Sequence, residues 1–229
     1  FNDYSNWVEL LRDYREKEPL RYIDSNEVIK PQWPIQRVGQ ILGAKAIIST
    51  DVGQHQMWTA QFYPFSYPRQ WITSGGLGTM GFGLPAAMGV ARALKGTDKV
   101  SINFTGDGSI LMNIQELMTC VEYELPVINI ILNNNYLGMV RQWQTMFYGN
   151  RLSETDLSAQ PNFKMLVEAF GGLGYRVTTK EEFDIALKDA VEKKRPAMIE
   201  VVVARHEEVL PMVPNGHALN EMTLIEGGK

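Results

Sequence analysis

The run 127–132, Val-Ile-Asn-Ile-Ile-Leu, limits the fold more than any other stretch of the chain. It is almost continuously apolar and rich in β-branched residues. A strand with one face in water alternates apolar and polar residues. A strand apolar on both faces belongs to a parallel sheet covered by helices on both sides. The flanking sequence supplies such helices. Periodicity predicts helices over 5–17 (ended by Pro19), 34–43, 84–94, 112–123, 137–147, 161–170 and 180–194. Further strands are predicted over 46–50, 100–104, 173–178 and 197–203. Strands alternate with helices, which predicts an α/β chain: a three-layer α/β/α domain, doubly wound, with a mostly parallel sheet. The division expected is an N-terminal helix and linker over 1–30, one domain over 31–205 and a tail over 206–229.

In such sheets ligands sit beyond the carboxyl ends of the strands. Four loops fall there, 51–56, 75–81, 105–109 and 133–136, and they are the chemically richest in the chain. In Thr105-Gly106-Asp107-Gly108-Ser109, two glycines let backbone approach a ligand and Asp107 offers a hard oxygen. Alone, the same residues read equally well as a strand-to-helix turn with Asp107 as cap. Asn134 changes the balance. It stands 27 residues further on, after one helix and one strand, at the end of a neighbouring strand. A carboxylate, an amide oxygen and a backbone carbonyl suit magnesium, which takes oxygen ligands shared between protein and phosphate.

Composition narrows the classes. Apolar residues are 45 % and charged residues 21 % of the 229, with a formal net charge of −4 and no cluster of Lys and Arg. That points away from nucleic acid. No apolar run reaches the roughly 18 residues of a membrane span. The single cysteine, Cys120, rules out an internal disulfide framework and agrees with a reducing, cytoplasmic setting (or a plastid or mitochondrial one in a eukaryote). Phe1 in place of an initiator Met suggests a piece of a longer polypeptide.

Gly-Asp-Gly followed after some 25–30 residues by Asn-Asn resembles the signature of thiamine diphosphate enzymes. The segments Gly53-Gln54-His55-Gln56-Met57-Trp58, Thr73 to Gly81 (Thr-Ser-Gly-Gly-Leu-Gly-Thr-Met-Gly) and Leu137 to Gln144 (Leu-Gly-Met-Val-Arg-Gln-Trp-Gln) resemble the acetohydroxyacid synthase (acetolactate synthase) catalytic subunit, over about residues 30–215 and its C-terminal cofactor domain only. The resemblance implies thiamine diphosphate and Mg2+ as cofactors, with FAD in the parent enzyme bound mostly outside this chain. Asp107, Asn134 and the Tyr136 carbonyl would ligate the metal. Val52, Gly53, Gln54, His55, Gly108 and Ser109 would line the diphosphate end. The Gly78 carbonyl and Met80 N–H would hold the aminopyrimidine, with the Met80 side chain enforcing a bent cofactor. Met139 would lie near the thiazolium and Trp143 would shape the pocket for the second substrate. The implied reaction condenses pyruvate with a second 2-ketoacid, with loss of CO2, on the route to valine and isoleucine. Implied partners are the small 2-ketoacids, further copies of the chain in a dimer or tetramer, and a regulatory subunit. An activating glutamate would come from another domain, so residues 1–229 alone are expected to be inactive.

Three readings compete. Gly76-Leu77-Gly78-Thr79-Met80-Gly81 also matches a dinucleotide-binding G-x-G-x-x-G, but Phe104-Thr105 stands where the ribose-binding carboxylate would be. A non-catalytic nucleotide-binding module therefore stays open, as does another thiamine diphosphate enzyme such as a glyoxylate carboligase or sulfoacetaldehyde acetyltransferase. On spacing alone, Met139, Val140, Trp143 and Phe147 form a stripe that fits a buried helix face.

Overall fold

The computed structural model describes residues 3–224 and divides into two compact units, Asp24–Glu208 and the segments before and after it. In the smaller unit, helix α1 (Ser5–Lys17) leaves all its residues unburied, Trp7, Leu11 and Tyr14 among them. Met212 and Thr223 pair there through an antiparallel bridge.

The larger unit is a six-stranded sheet in the order β2-β1-β3-β4-β6-β5, with every neighbouring pair parallel. The strands are β1 (Ala46–Thr50), β2 (Trp71–Thr73), β3 (Val100–Gly106), β4 (Val127–Asn133), β5 (Leu173–Val177) and β6 (Ala197–Val202). All seven residues of β4 are buried, as its continuous apolar run requires of a strand covered on both faces. One layer of the core joins α4 (Gly83–Ala93), α6 (Leu117–Glu122) and α8 (Phe163–Ala169) to the sheet through Leu84, Leu117, Phe163, Val127 and Ile131. Cys120 lies in that core, and burial lifts its thiol to about 12. It is packing, not chemistry. Elsewhere α2 (Gln32–Leu42) meets α9 (Lys180–Lys193) through an edge-on contact of Trp33 with Phe183 at 5.5 Å. A capping box at Thr179 and Glu182 starts α9.

Three local expectations change. The loop 51–56 runs directly into a helix, α3 (Gln54–Phe62), which turns inward Gln54, His55 and Thr59 as well as Trp58 and Phe62. A face that mixed carries no hydrophobic period. The glycine loop at 75–81 is preceded by a short edge strand, β2. The helix expected over 112–123 is shortened to a 3-10 turn (Ile114–Glu116) and α6, and a separate four-residue turn of helix, α5 (Asp107–Ile110), precedes it.

The strand order reverses beside β1. The chain leaves β1 to form β2 on one side, then crosses to β3 on the other. The crevice at the carboxyl ends of β1 and β3 is therefore a topological switch point. The four loops singled out above follow the adjacent strands β2, β1, β3 and β4.

Candidate active site at the switch point

A cleft of about 90 Å³ opens at this point. Val52, Gly53, Gln54 and His55 line it from the β1 loop, Met80 from the β2 loop, Asp107, Gly108 and Ser109 from the β3 loop, and Asn134, Tyr136 and Met139 beyond β4. Residues up to 87 positions apart in sequence thus meet in one place. Gly78 lies outside the lining. Trp143 also lies outside it, in an adjoining groove of about 490 Å³ with Met139, Val140, Gln144, Tyr148 and Arg151.

Asp107 is 3 % exposed, and burial raises its carboxyl to about 6. Its Oδ1 accepts the Gly108 N–H at 3.2 Å and its Oδ2 faces the Gln160 amide nitrogen at 3.4 Å. The cap of α5 is Gly106 rather than Asp107, and the Ser109 hydroxyl folds back to accept the Gly106 N–H at 3.2 Å. With only four residues in α5, the loop offers the N–H groups of one turn and not a helix macrodipole. A Cβ on Gly108 would lie 2.8 Å from Leu137 Cδ2 and 2.9 Å from Leu157 Cδ1, so a side chain there would have to displace two leucine ends where the β3 and β4 loops touch.

The asparagines divide their work. Asn133 and Asn134 each accept a backbone N–H two residues ahead, at 3.1 Å, from Asn135 and Tyr136. These turns let Asn135 adopt a positive φ of 57°. Asn133 also donates to Glu200 Oε1 at 2.8 Å, and Arg176 pairs with that same oxygen at 3.4 Å. Asn134 Nδ2 donates to Gln54 Oε1 at 3.3 Å, and Gln54 Nε2 donates to Gln142 Oε1 at 2.8 Å. The amide orientation this imposes keeps Asn134 Oδ1 on the Tyr136 side.

His55 is 6 % exposed and its Nε2 is buried without a partner. Burial drives the imidazole down to about 3, against a hydrogen bond to the Asp51 backbone, so the ring is neutral. It packs against two glycines: a Cβ on Gly53 would lie 2.8 Å from His55 Cε1, and one on Gly106 would lie 3.1 Å from Nδ1. Gly53 holds φ at 152°, which a side chain at that position would oppose.

Helix α7 (Gly138–Phe147) reverses the expectation of a buried apolar stripe. Its buried residues are Arg141 and Gln142, while Val140, Trp143 and Phe147 are exposed. Arg141 donates to the Glu207 carbonyl at 2.9 Å. Trp143 meets Phe147 edge-on at 5.8 Å. The polar side thus faces inward and the apolar stripe lies at the surface along the groove, not in the core.

Sequence reasoning assigned nothing to Gln160, Gln142 and Asp51, which bond the site residues Asp107, Gln54 and Val52, nor to Asn113, which bonds Gly81 beside Met80. For Asp51 a signal existed: a carboxylate directly after a strand whose loop was already suspect. For the others the partners lie in distant loops and leave no local pattern.

The donors fit a cation and a phosphorylated ligand. Among the described residues no three His, Cys, Asp or Glu side chains converge on a metal position. Asp107, Asn134 and the Tyr136 backbone instead offer one charged and two neutral hard oxygens, with the orphaned Nε2 of His55 in the same cleft.

Residues 51–201 match the family described as thiamine pyrophosphate enzyme, C-terminal TPP binding domain. The chain is 44 % identical over 226 residues to the acetolactate synthase isozyme 3 large subunit of Escherichia coli (strain K12), across 97 % of the chain and 39 % of that protein. It is 42 % identical to acetolactate synthase 1, chloroplastic, of Zea mays, across 99 % of the chain and 36 % of the relative. The chain thus spans less than two fifths of these relatives' lengths. Benzoylformate decarboxylase from Polynucleobacter necessarius shares the fold, with a TM-score of 0.75 at 20 % identity over 83 % of this chain and 36 % of that one. The chain belongs to the thiamine pyrophosphate enzymes, as their C-terminal TPP-binding domain.

Proposed function

We propose that this chain is the cofactor-binding part of an acetohydroxyacid synthase, which condenses pyruvate with a second 2-ketoacid to 2-acetolactate or 2-aceto-2-hydroxybutyrate and releases CO2. The observation that carries the reading is the convergence of Asp107, Asn134 and Tyr136 with His55 in one cleft at the switch point. Relatives named as acetolactate synthase large subunits support the choice among thiamine diphosphate enzymes.

Asp107, the Asn134 side-chain oxygen and the Tyr136 carbonyl would hold Mg2+, whose charge would offset that of the diphosphate. His55, Gln54 and the N–H groups of Gly108 and Ser109 would orient that diphosphate. Gly78 and Met80 would hold the aminopyrimidine edge, and the Met80 side chain would support the bent form. When bound, thiamine diphosphate supplies the electron sink that makes loss of CO2 from a 2-ketoacid possible. Met139, Val140 and Trp143 would exclude water and shape the space for the second ketoacid. FAD, the activating glutamate and the partner subunit of a dimer or tetramer would be met by surfaces beyond these residues. The cleft's size agrees with that division: 90 Å³ is well below the roughly 300–1,000 Å³ of pockets that enclose a ligand of this kind.

Calorimetry on the full-length polypeptide tests the reading. Thiamine diphosphate should bind only with magnesium, and Asp107→Ala should abolish that binding. Magnesium-independent binding of NAD would instead select a nucleotide-binding module. Residues 1–229 alone should make no acetolactate, and measurable production would overturn the division of the site.

A further inference from the structure

The loop after β2 is exposed from Gly75 to Thr79, with Leu77 almost wholly in solvent at 96 %. Its conformation is fixed at the far end, at Gly81. The Gly81 N–H donates to Asp51 Oδ1 at 2.7 Å, and the Gly81 carbonyl accepts from Asn113 Nδ2 at 2.7 Å. Both partners are remote in sequence: Asp51 directly follows β1, and Asn113 lies between α5 and α6. Asp51 is fully buried, and the same Oδ1 accepts the Val52 N–H at 2.9 Å. One carboxylate oxygen therefore ties the start of the β1 loop to the end of the β2 loop.

The identity of residue 81 follows from this grip. Gly81 has a φ of 92°, and a Cβ there would lie 2.8 Å from Asn113 Nδ2 and 3.0 Å from Met112 Cβ. Met80 sits between the exposed tip and the clamped glycine, and it is the residue of this loop that lines the cleft. Two hydrogen bonds at the adjacent residue limit where its backbone can point.

We propose that Asp51 and Asn113 are positioning residues, which grip the two ends of Gly81 and so hold Met80 where it enforces the bend of the cofactor. The proposal rests on the cofactor reading above. It concerns the placement of Met80 rather than the affinity of the metal-diphosphate end, which the other loops provide.

A bent cofactor would have its own pyrimidine nitrogen as base for the thiazolium C2 proton, so the rate at which that proton exchanges for solvent deuterium would report on the bend. In the full-length polypeptide loaded with thiamine diphosphate and magnesium, Asn113→Ala and Asn113→Asp should each slow this exchange by roughly tenfold or more, because a displaced base loses its proximity advantage. The magnesium-dependent Kd of the cofactor should stay within about threefold of the parent value, a small fraction of the binding free energy. Asp51→Ala should slow the exchange as well, but it also releases the Val52 N–H at the start of the loop that lines the diphosphate end, so the Kd comparison rests on the Asn113 variants. Because it also opens a buried site, the Asn113 variants decide if it fails to fold. Exchange within about twofold of the parent in both Asn113 variants would overturn the clamp alone. A parent protein that binds no thiamine diphosphate would overturn the cofactor reading and the clamp together.

Discussion

Gln160 reaches Asp107 across 53 residues of sequence, its Nε2 lying 3.4 Å from Oδ2 of the carboxylate. The same nitrogen lies 2.6 Å from Asn135 Oδ1 and 2.8 Å from the Leu157 carbonyl, while Gln160 Oε1 accepts from Asn133 at 2.9 Å. One amide thus links the β3 loop to the β4 loop and, through Asn133 and Glu200, to the cation of Arg176. Groups one step removed from a metal typically change its affinity by about 10–100-fold when lost. Gln160→Ala should therefore raise the magnesium concentration needed for cofactor binding by roughly tenfold, with the cofactor still binding at saturating metal. Magnesium titrations at fixed thiamine diphosphate check this, and an unchanged midpoint would remove Gln160 from the site.

Trp143 is 43 % exposed, so shortening it should cost little stability, within about 0.5 kcal/mol. Its effect should fall on substrate choice. Trp143→Leu in the full-length enzyme should reduce the preference for 2-ketobutyrate over pyruvate by about tenfold, the scale at which a pocket reads one methylene. Competition assays that measure both products decide the matter. A large fall in melting temperature with preference intact would place Trp143 in the core after all.

Gly83 stands where β1 and β3 approach α4. A Cβ there would lie 2.5 Å from Asn103 Oδ1 and 2.7 Å from the Asp51 amide nitrogen, in the buried interior. Backbone cannot yield as a flexible side chain does. Gly83→Ala should destabilise the chain by about 1–3 kcal/mol, read as a lower urea midpoint with unchanged slope. Gly89→Ala, at a glycine of the same helix with nothing within 4 Å of the added carbon, should be neutral or stabilising.

His55 sets a pH dependence. Its folded value of about 3 lies below the ordinary 6.5, so the unfolded chain binds the extra proton between these limits. Stability from the neutral ring is complete above about pH 6.5 and is lost as pH falls, by up to about 1.4 kcal/mol per pH unit. Asp107, raised to about 6 by burial, acts in the opposite sense: its folded form holds the proton longer, which favours the folded state below pH 6. His55→Gln should therefore flatten the fall in urea midpoint between pH 6.5 and 5. A slope as steep as the parent's would show that other groups govern the acid limit.

The scaffold was legible wherever burial left a period. Strand β4, buried throughout, stands out as an apolar run, and its position fixes which loops reach the ligand end. The paired loops at Asp107 and Asn134 were legible because one helix and one strand separate neighbouring parallel strands. Helix α3 was not, since it buries Gln54, His55 and Thr59 along with Trp58, and polar burial leaves no periodic trace. Helix α7 showed a clear stripe whose direction no pattern could supply. Only the hydrogen bonds of Arg141 and Gln142 show that the polar side faces inward. Contacts such as Asp51 with Gly81 and Gln160 with Asp107 depend on crossovers between strands, which a local reading does not contain.

The outward apolar face of α7 has a consequence for change over time. The helix keeps its register through Arg141, Gln142 and their hydrogen bonds, not through its outward apolar residues. Val140, Trp143 and Phe147 can then be exchanged without disturbing what anchors the helix. The part that holds and the part that faces outward are encoded by different positions of one ten-residue segment. Such a segment can change its outward surface while the loops beside it stay as they are.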